Sequence, residues 1–454
     1  PQCLRLAQVS ELSPAMSEAQ ALRWASQVAP MCKKLLPPWH NVAEDDITVK
    51  QLTVALSNVI FTASIADTQL LPRIVLFRVY GENMIKMNDA EEETNFQFYD
   101  QADELAAFSA MSQCGFGPRL LASGEGFRIE EFIENAPAVP TSMMSNPAMY
   151  TQVAGMVGRM HKLCRSPTFP VLRTEPCTAQ RLRSWSADAC KRVFHDPGQK
   201  QLAEELDISA YAGAEMEWLI KFLELGNTSV FGTIGTGYDV VFAHNDLQEN
   251  NILRHCSGVR AVDFEYAAYN FAAYDIAQHF VEFTMDYNFD SYPFYSIDVG
   301  AYPSKEVQRN FASIYLSEFL DTPVHPTSHR VDTLLGAVSR FRLVSHALWS
   351  FWAVTRAIDA TDDTQINFLH YARTRLRMYR RDKANAAGFD KLAKQASSGE
   401  ALQRPPPPMN AEAQSDSSPE EGLEQPPAKR NRRRGRKRKS GAAAVEFDAQ
   451  EQES

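Results

Sequence analysis

The sequence predicts an α+β fold in two lobes, a sheet-rich N-terminal lobe and a helix-rich C-terminal lobe, followed by a disordered C-terminal tail. Three observations predict it. Runs of β-branched and aromatic residues concentrate in the first third of the 454 residues. From about residue 148 apolar residues recur at helical spacing. After about Lys394 the composition turns to Pro, Ser and charge, too polar to bury a core. These changes place boundaries at 1–44 (an N-terminal helical segment), 45–136, 137–394 and 395–454.

In chain order, Val59-Ile60-Phe61-Thr62 and Ile74-Val75-Leu76-Phe77-Arg78-Val79-Tyr80 read as strands, the second closed by Gly81. Residues 94–113 read as a helix stopped by Gly115-Phe116-Gly117-Pro118. Arg128-Ile129-Glu130-Glu131-Phe132-Ile133 reads as a further strand. Val153, Met156, Val157, Met160 and Leu163 share one buried helix face. Two aromatic-rich helices are expected at about 331–357 and 366–381.

With 44 % hydrophobic and 22 % charged residues the chain has the balance of a globular protein. No stretch approaches the roughly 18 apolar residues of a membrane span. No basic flank precedes an apolar signal core. The seven cysteines are scattered without a C-x-x-C pair, which argues against a disulfide framework or a cysteine zinc site and for a reducing compartment. Residues 395–454 hold ten Lys/Arg and ten Asp/Glu. The whole net charge of −10 therefore falls on residues 1–394, with 36 basic and 46 acidic side chains. An acidic body is a poor general binder of polyanions and suits a small cation better.

The chemistry is carried by Val240-Val241-Phe242-Ala243-His244-Asn245-Asp246-Leu247-Gln248-Glu249-Asn250-Asn251-Ile252-Leu253. Its His-x-Asp-x-x-x-x-Asn spacing is the catalytic-loop pattern of protein-kinase-like two-lobe folds. An alcohol attacking phosphorus must lose a proton, and Asp246 is the carboxylate to take it. Magnesium takes oxygen ligands, and Asn251 supplies one. Beyond a hairpin turn at His255-Cys256-Ser257-Gly258, Asp263 is expected at the end of the returning strand as the second metal-binding residue.

These residues resemble the choline/ethanolamine kinase family. The likeness rests on H-N-D-L-Q-E-N-N-I-L and on V-D-F-E-Y-A-A-Y-N with Asp275-Ile276 and His279-Phe280. It continues through Met285-Asp286-Tyr287, Tyr292-Pro293-Phe294, Tyr302-Pro303-Ser304, and Ser345-His346-Ala347-Leu348-Trp349 with Trp352. It covers about residues 45–385. The resemblance implies ATP and Mg2+ as cofactors, with 45–136 as the nucleotide-binding lobe and 137–394 as the catalytic and alcohol-binding lobe. It implies that Arg78 holds nucleotide phosphates and that Glu104 pairs with Arg78. Glu131, Phe132 and Ile133 would present backbone groups to adenine, and Gln248 would lie beside the nucleotide. The phosphate loop matches at Ser57 and Asn58, but Val54 and Ala55 stand where the family has two glycines, whose backbone can approach phosphate closely.

A quaternary ammonium cannot donate a hydrogen bond and is recognised by aromatic faces and nearby negative charge. Trp349 and Trp352, spaced i, i+3, share a helix face. By resemblance they form the choline wall with Tyr371, Tyr287 and Glu282; without it, an aromatic stripe at this spacing reads as core. Tyr266 reads either as part of that wall or as packing beneath the metal site. His161 and His346 read as satisfied core histidines.

The implied activity is ATP-dependent phosphorylation of choline and/or ethanolamine, feeding phosphatidylcholine and phosphatidylethanolamine synthesis in the cytoplasm. The sequence leaves open which alcohol is preferred. The alternatives are a kinase of another amino alcohol or an aminoglycoside, and a nuclear binding protein with a kinase-like body. The two tryptophans argue against a heavily hydroxylated sugar; intact Asp246, Asn251 and Asp263 argue against a non-catalytic body. The family likeness also suggests a homodimer. The Lys429–Lys439 basic run reads equally as a solvated tail and as a contact for nucleic acid or a nuclear import factor. Ser415, Ser417 and Ser418 lie among acidic residues as candidate phosphorylation sites.

Overall fold

The computed structural model describes residues 18–52, 58–67, 69–80, 101–166, 169, 175–230, 232–359 and 366–398, with side chains for all of these except 18–20, 58 and 386–398. The first lobe is built on a sheet of β1 (Ile47–Leu52), β2 (Asn58–Ile65), β3 (Ile74–Tyr80), β4 (Leu120–Gly124) and β5 (Phe127–Glu131). Its spatial order is β1-β2-β3-β5-β4 and every pairing is antiparallel. The alternation along β3 and β5 divides the sheet into two unlike faces. Val75, Phe77, Val79, Phe127 and Ile129 lie in one apolar cluster with Val28 and Cys32 of helix α1 (Glu18–Leu35). Trp24 of α1 meets the rings of both Phe77 and Phe127, which are themselves stacked 4.8 Å apart. Trp39 is fully buried in the same cluster and donates its indole N–H to the Pro72 carbonyl at 2.8 Å. Truncating such a ring costs about 3–5 kcal/mol.

The opposite face carries charge. Arg78, Arg128 and Glu130 are buried there beneath α2 (Gln101–Gln113). The strand expected over 128–133 runs from Phe127 to Glu131, and the ladder with β3 stops at Glu131, so Phe132 and Ile133 lie past the paired residues. Chain past this point docks on the second lobe: Val139 N–H donates to the Ile252 carbonyl at 2.9 Å and Arg254 N–H to the Pro137 carbonyl at 2.8 Å.

The second lobe is mainly helical: α3 (Pro147–Lys162), α4 (Thr178–Cys190), α5 (Pro197–Leu206), α6 (Ile208–Tyr211), α7 (Ala214–Thr228), α8 (Ala272–Glu282), α9 (Lys305–Leu320), α10 (His329–Arg356) and α11 (Phe368–Ser398). Start signals are local. Asn146 Oδ1 accepts the Ala148 N–H before Pro147 opens α3, and the Ser304 hydroxyl accepts the Val307 N–H at the head of α9. The α3 face predicted from spacing is buried at Val153, Met156, Val157 and Met160. Another side of α3 packs on α9 so closely that a Cβ at Gly158 would stand 2.7 Å from the Tyr315 carbonyl oxygen, and only glycine fits. The last helix continues to Ser398, beyond the end expected at 381. Two short antiparallel pairs, β6 (Val240–Ala243) with β9 (Ala268–Phe271) and β7 (Ile252–His255) with β8 (Gly258–Ala261), carry the site. No helix among the described residues is long and apolar enough to cross a membrane.

Candidate active site

β6 delivers the chain to His244, and the loop from there to Asn251 is fixed by one carboxylate. Asp275, fully buried in the first turn of α8, accepts the His244 N–H at 2.8 Å and the Asn245 N–H at 2.6 Å. Its Oδ2 also takes the Nε2–H of His161 at 2.9 Å, and His161 Nδ1 meets the Tyr315 hydroxyl at 3.1 Å. Burial acts to raise the Asp275 pKa, but the bonds from His161 and the backbone hold it below the usual carboxylate range. His161 is therefore the satisfied core histidine that its pattern indicates, and it also orients the residue that anchors the loop. Asn245 has a left-handed backbone (φ 67°), and its side-chain amide donates to the Tyr266 carbonyl at 3.0 Å.

His244 uses both ring nitrogens. Its Nε2–H donates to the Val262 carbonyl at 2.9 Å, and Nδ1 accepts the Asp246 N–H at 3.3 Å. That pairing needs the neutral ring, and burial lowers its pKa accordingly. The Asn251 side-chain amide donates to the Asp246 carbonyl at 2.9 Å and to its Oδ2 at 3.1 Å. The Val262 N–H donates to the Asn251 carbonyl at 2.9 Å, which draws the next strand against the loop. Gln248 folds back so that its Oε1 accepts the Asn250 N–H at 2.9 Å. β8 ends at Ala261, two residues earlier than expected, and Asp263 follows it in a left-handed conformation (φ 64°). The neighbouring Phe264 ring lies under Gly117 of the turn after α2, where a Cβ would approach it to 2.7 Å.

Asp263 Oδ1 accepts Arg78 Nη1 at 3.3 Å and so links the sheet lobe to the β7–β8 hairpin. Glu104 does not pair with Arg78. Its partner is Arg128, which also holds Glu130 at 2.8 Å and the Tyr80 hydroxyl at 3.1 Å. The reason is register: Arg78 and Arg128 are opposite one another on β3 and β5, and α2 lies over the β5 side of the pair. Arg78 turns to Asp263 and, at 3.6 Å, Glu130. Ser57 lies outside the described residues, and Asn58 opens β2 opposite Tyr80.

Burial lifts the Asp246 pKa well above the ordinary aspartate range, and the charges of Glu282, Glu265, Asp263 and Glu249 add to the lift. A site with this much negative charge and oxygen donors from Asp246, Asn251 and Asp263 suits a divalent cation. Among the described residues no three His, Cys, Asp or Glu side chains form a ready metal cluster. Magnesium held by one or two protein oxygens plus phosphate needs none.

The aromatic residues fall into two groups. Trp349 and Trp352 meet edge to face at 5.3 Å, Trp349 lies 5.4 Å from the Tyr266 ring, and Trp352 Nε1–H donates to the Tyr266 hydroxyl at 2.8 Å. Trp185 of α4, which the sequence did not single out, joins them at 6.1 Å from Tyr266. Tyr266 thus belongs with the tryptophans. In the second group the Tyr287 hydroxyl donates to Glu282 Oε2 at 2.9 Å and meets the Tyr371 hydroxyl at 3.0 Å. Trp349, Trp352 and Tyr371 are all buried, and Trp349 Nε1–H has no acceptor among the described residues. His346, also fully buried, lies 3.3 Å from Asp382.

Comparison with known proteins places these observations. Residues 49–380 match the family model described as "Choline/ethanolamine kinase". Mouse choline kinase alpha is 28 % identical over 378 residues, covering 77 % of this chain and 78 % of that protein. Human choline/ethanolamine kinase is 27 % identical over 383 residues, covering 81 % and 86 %. The crystal structure of choline kinase from Cryptosporidium parvum Iowa II superposes with a TM-score of 0.64 at 29 % identity, covering 80 % of this chain and 97 % of that one.

Proposed function

The chain belongs to the choline/ethanolamine kinase family, and from that premise we propose how this kinase phosphorylates choline and/or ethanolamine. The observation that carries the reading is the loop held by Asp275. It presents Asp246 hydrogen-bonded to Asn251 and within the electrostatic reach of Asp263, which in turn binds Arg78 of the other lobe.

ATP enters between the lobes. Arg78 holds its phosphates, and the unpaired chain at Phe132 and Ile133 meets adenine. Asp246 accepts the proton of the attacking hydroxyl. Its raised pKa suits a base that acquires its charge partner when the cationic substrate arrives. Asn251 and Asp263 would hold magnesium, which when bound neutralises charge on the transferring phosphoryl group. The aromatic residues and Glu282 enclose the ammonium. The product feeds phospholipid synthesis, a cytoplasmic role.

ATP turnover with magnesium, with and without each alcohol, tests the reading. Phosphocholine or phosphoethanolamine formation that disappears in Asp246→Asn supports it; turnover of ATP that neither alcohol stimulates rejects it.

A further inference from the structure

Glu282 is the carboxylate that the alcohol-binding reading sets in the wall around the ammonium, and most of its hydrogen-bonding capacity is already used. Its inner oxygen, Oε1, accepts Gln278 Nε2–H at 2.9 Å and faces Arg375 Nη1 at 3.3 Å. Arg375, on α11, is fully buried and turns its other terminal nitrogen to Ser345, donating to the carbonyl at 3.0 Å and to the hydroxyl at 2.9 Å. The Ser345 hydroxyl donates to Gln278 Oε1, which fixes the Gln278 amide with its N–H group toward Glu282. Arg375, Ser345, Gln278 and Glu282 therefore close a ring drawn from α8, α10 and α11. The outer oxygen, Oε2, takes the Tyr287 hydroxyl at 2.9 Å. Tyr287 donates there, so the 3.0 Å contact between Tyr287 and Tyr371 has Tyr371 as donor.

We propose that Arg375 is a specificity-determining positioning residue: by neutralising Glu282 and occupying its inner oxygen, it biases the pocket toward the trimethylammonium alcohol over the primary amine. This rests on the alcohol-binding reading above. A carboxylate has about four acceptor sites, and three here are used within the protein. A buried primary ammonium brings three N–H donors, and those without acceptors are penalised on leaving water. A quaternary ammonium has no such donors and gains from the faces of Tyr287, Tyr371 and the tryptophans. An ionised Glu282 with no internal partner would instead offer a primary ammonium two or more charged acceptors.

The test is kcat/KM for ethanolamine, its N-methyl and N,N-dimethyl derivatives and choline. With the wild-type protein the value should climb with each methyl, choline exceeding ethanolamine by at least tenfold. A flat or reversed series overturns the proposal even though both alcohols are substrates. If no member of the series is phosphorylated, the functional reading itself fails and the proposal with it. In Arg375→Met the choline-to-ethanolamine ratio should fall at least fivefold while KM for ATP moves less than twofold. Gln278→Leu frees the same oxygen without removing the buried cation and should shift the ratio in the same direction, which keeps the test decisive if Arg375→Met does not fold. An unchanged ratio in a folded variant overturns the assignment.

Discussion

Arg78 and Arg128 stand directly opposite one another on β3 and β5, and the Glu130 carboxylate lies against both, 3.6 Å from Arg78 and 2.8 Å from Arg128. Two buried guanidinium groups side by side would repel. Asp263 and Glu104 complete the set, one on each outer side, so the charges alternate from the β7–β8 hairpin to α2. The two arginines consequently have different partners. Arg78 reaches Asp263 of the second lobe; Arg128 is sealed beneath α2 and holds the helix to the sheet.

Arg128→Met should therefore destabilise the fold by about 3–5 kcal/mol, because it leaves Glu104 and Glu130 buried without their shared partner. Urea denaturation measures it. A loss below about 1 kcal/mol would show that the pair is not structural. Arg78→Met should instead act mainly on KM for ATP.

Asp246→Asn should lower kcat by roughly 10²–10⁴-fold with little change in KM for ATP, since general-base help is worth about that much. Because its pKa is raised, the rise of kcat/KM with pH should lie above the ordinary aspartate range. A profile already flat at pH 5 and upward would place the base elsewhere.

Asp263→Ala should remove magnesium-dependent ATP binding in a folded protein, because the metal neutralises phosphate charge. Calorimetric titration with and without magnesium separates the two contributions. Unchanged Mg-ATP affinity would exclude Asp263 as a ligand.

Glu249 accepts the Tyr287 N–H at 3.0 Å through Oε1, while Oε2 is buried without a partner among the described residues. Burial pushes its pKa up to about 8. Its proton is bound more tightly in the folded protein, so this contribution to stability is complete below the ordinary carboxylate pKa. It is lost as pH rises toward 8, at up to ~1.4 kcal/mol per pH unit. Glu249→Gln should be more stable than wild type at pH 8 and similar at pH 4.5. Parallel stability curves across that range would contradict the sign.

Trp352→Ala should raise KM for choline about threefold to thirtyfold, from a cation–π contribution of ~0.5–2 kcal/mol plus lost burial, and raise KM for ethanolamine less. A variant that loses stability while the ratio of the two alcohols stays fixed would assign Trp352 to the core.

Much of this protein is legible in the chain because the chemistry is written in short spacings. The five-residue step from Asp246 to Asn251, the hairpin before Asp263, and the helix face at Val153, Met156, Val157 and Met160 are local relationships that hold in any packing. Partnerships between distant segments are not. Glu104 takes Arg128 because the β3–β5 register and the lie of α2 decide which arginine is nearer. Asp275 becomes the anchor of the loop carrying Asp246, and Arg375 the partner of Glu282, only when α8 packs beside β6 and α11. Each of these groups is an ordinary acid or base in the sequence. Burial away from water makes one specific partner necessary, and only the tertiary structure determines which groups are buried together.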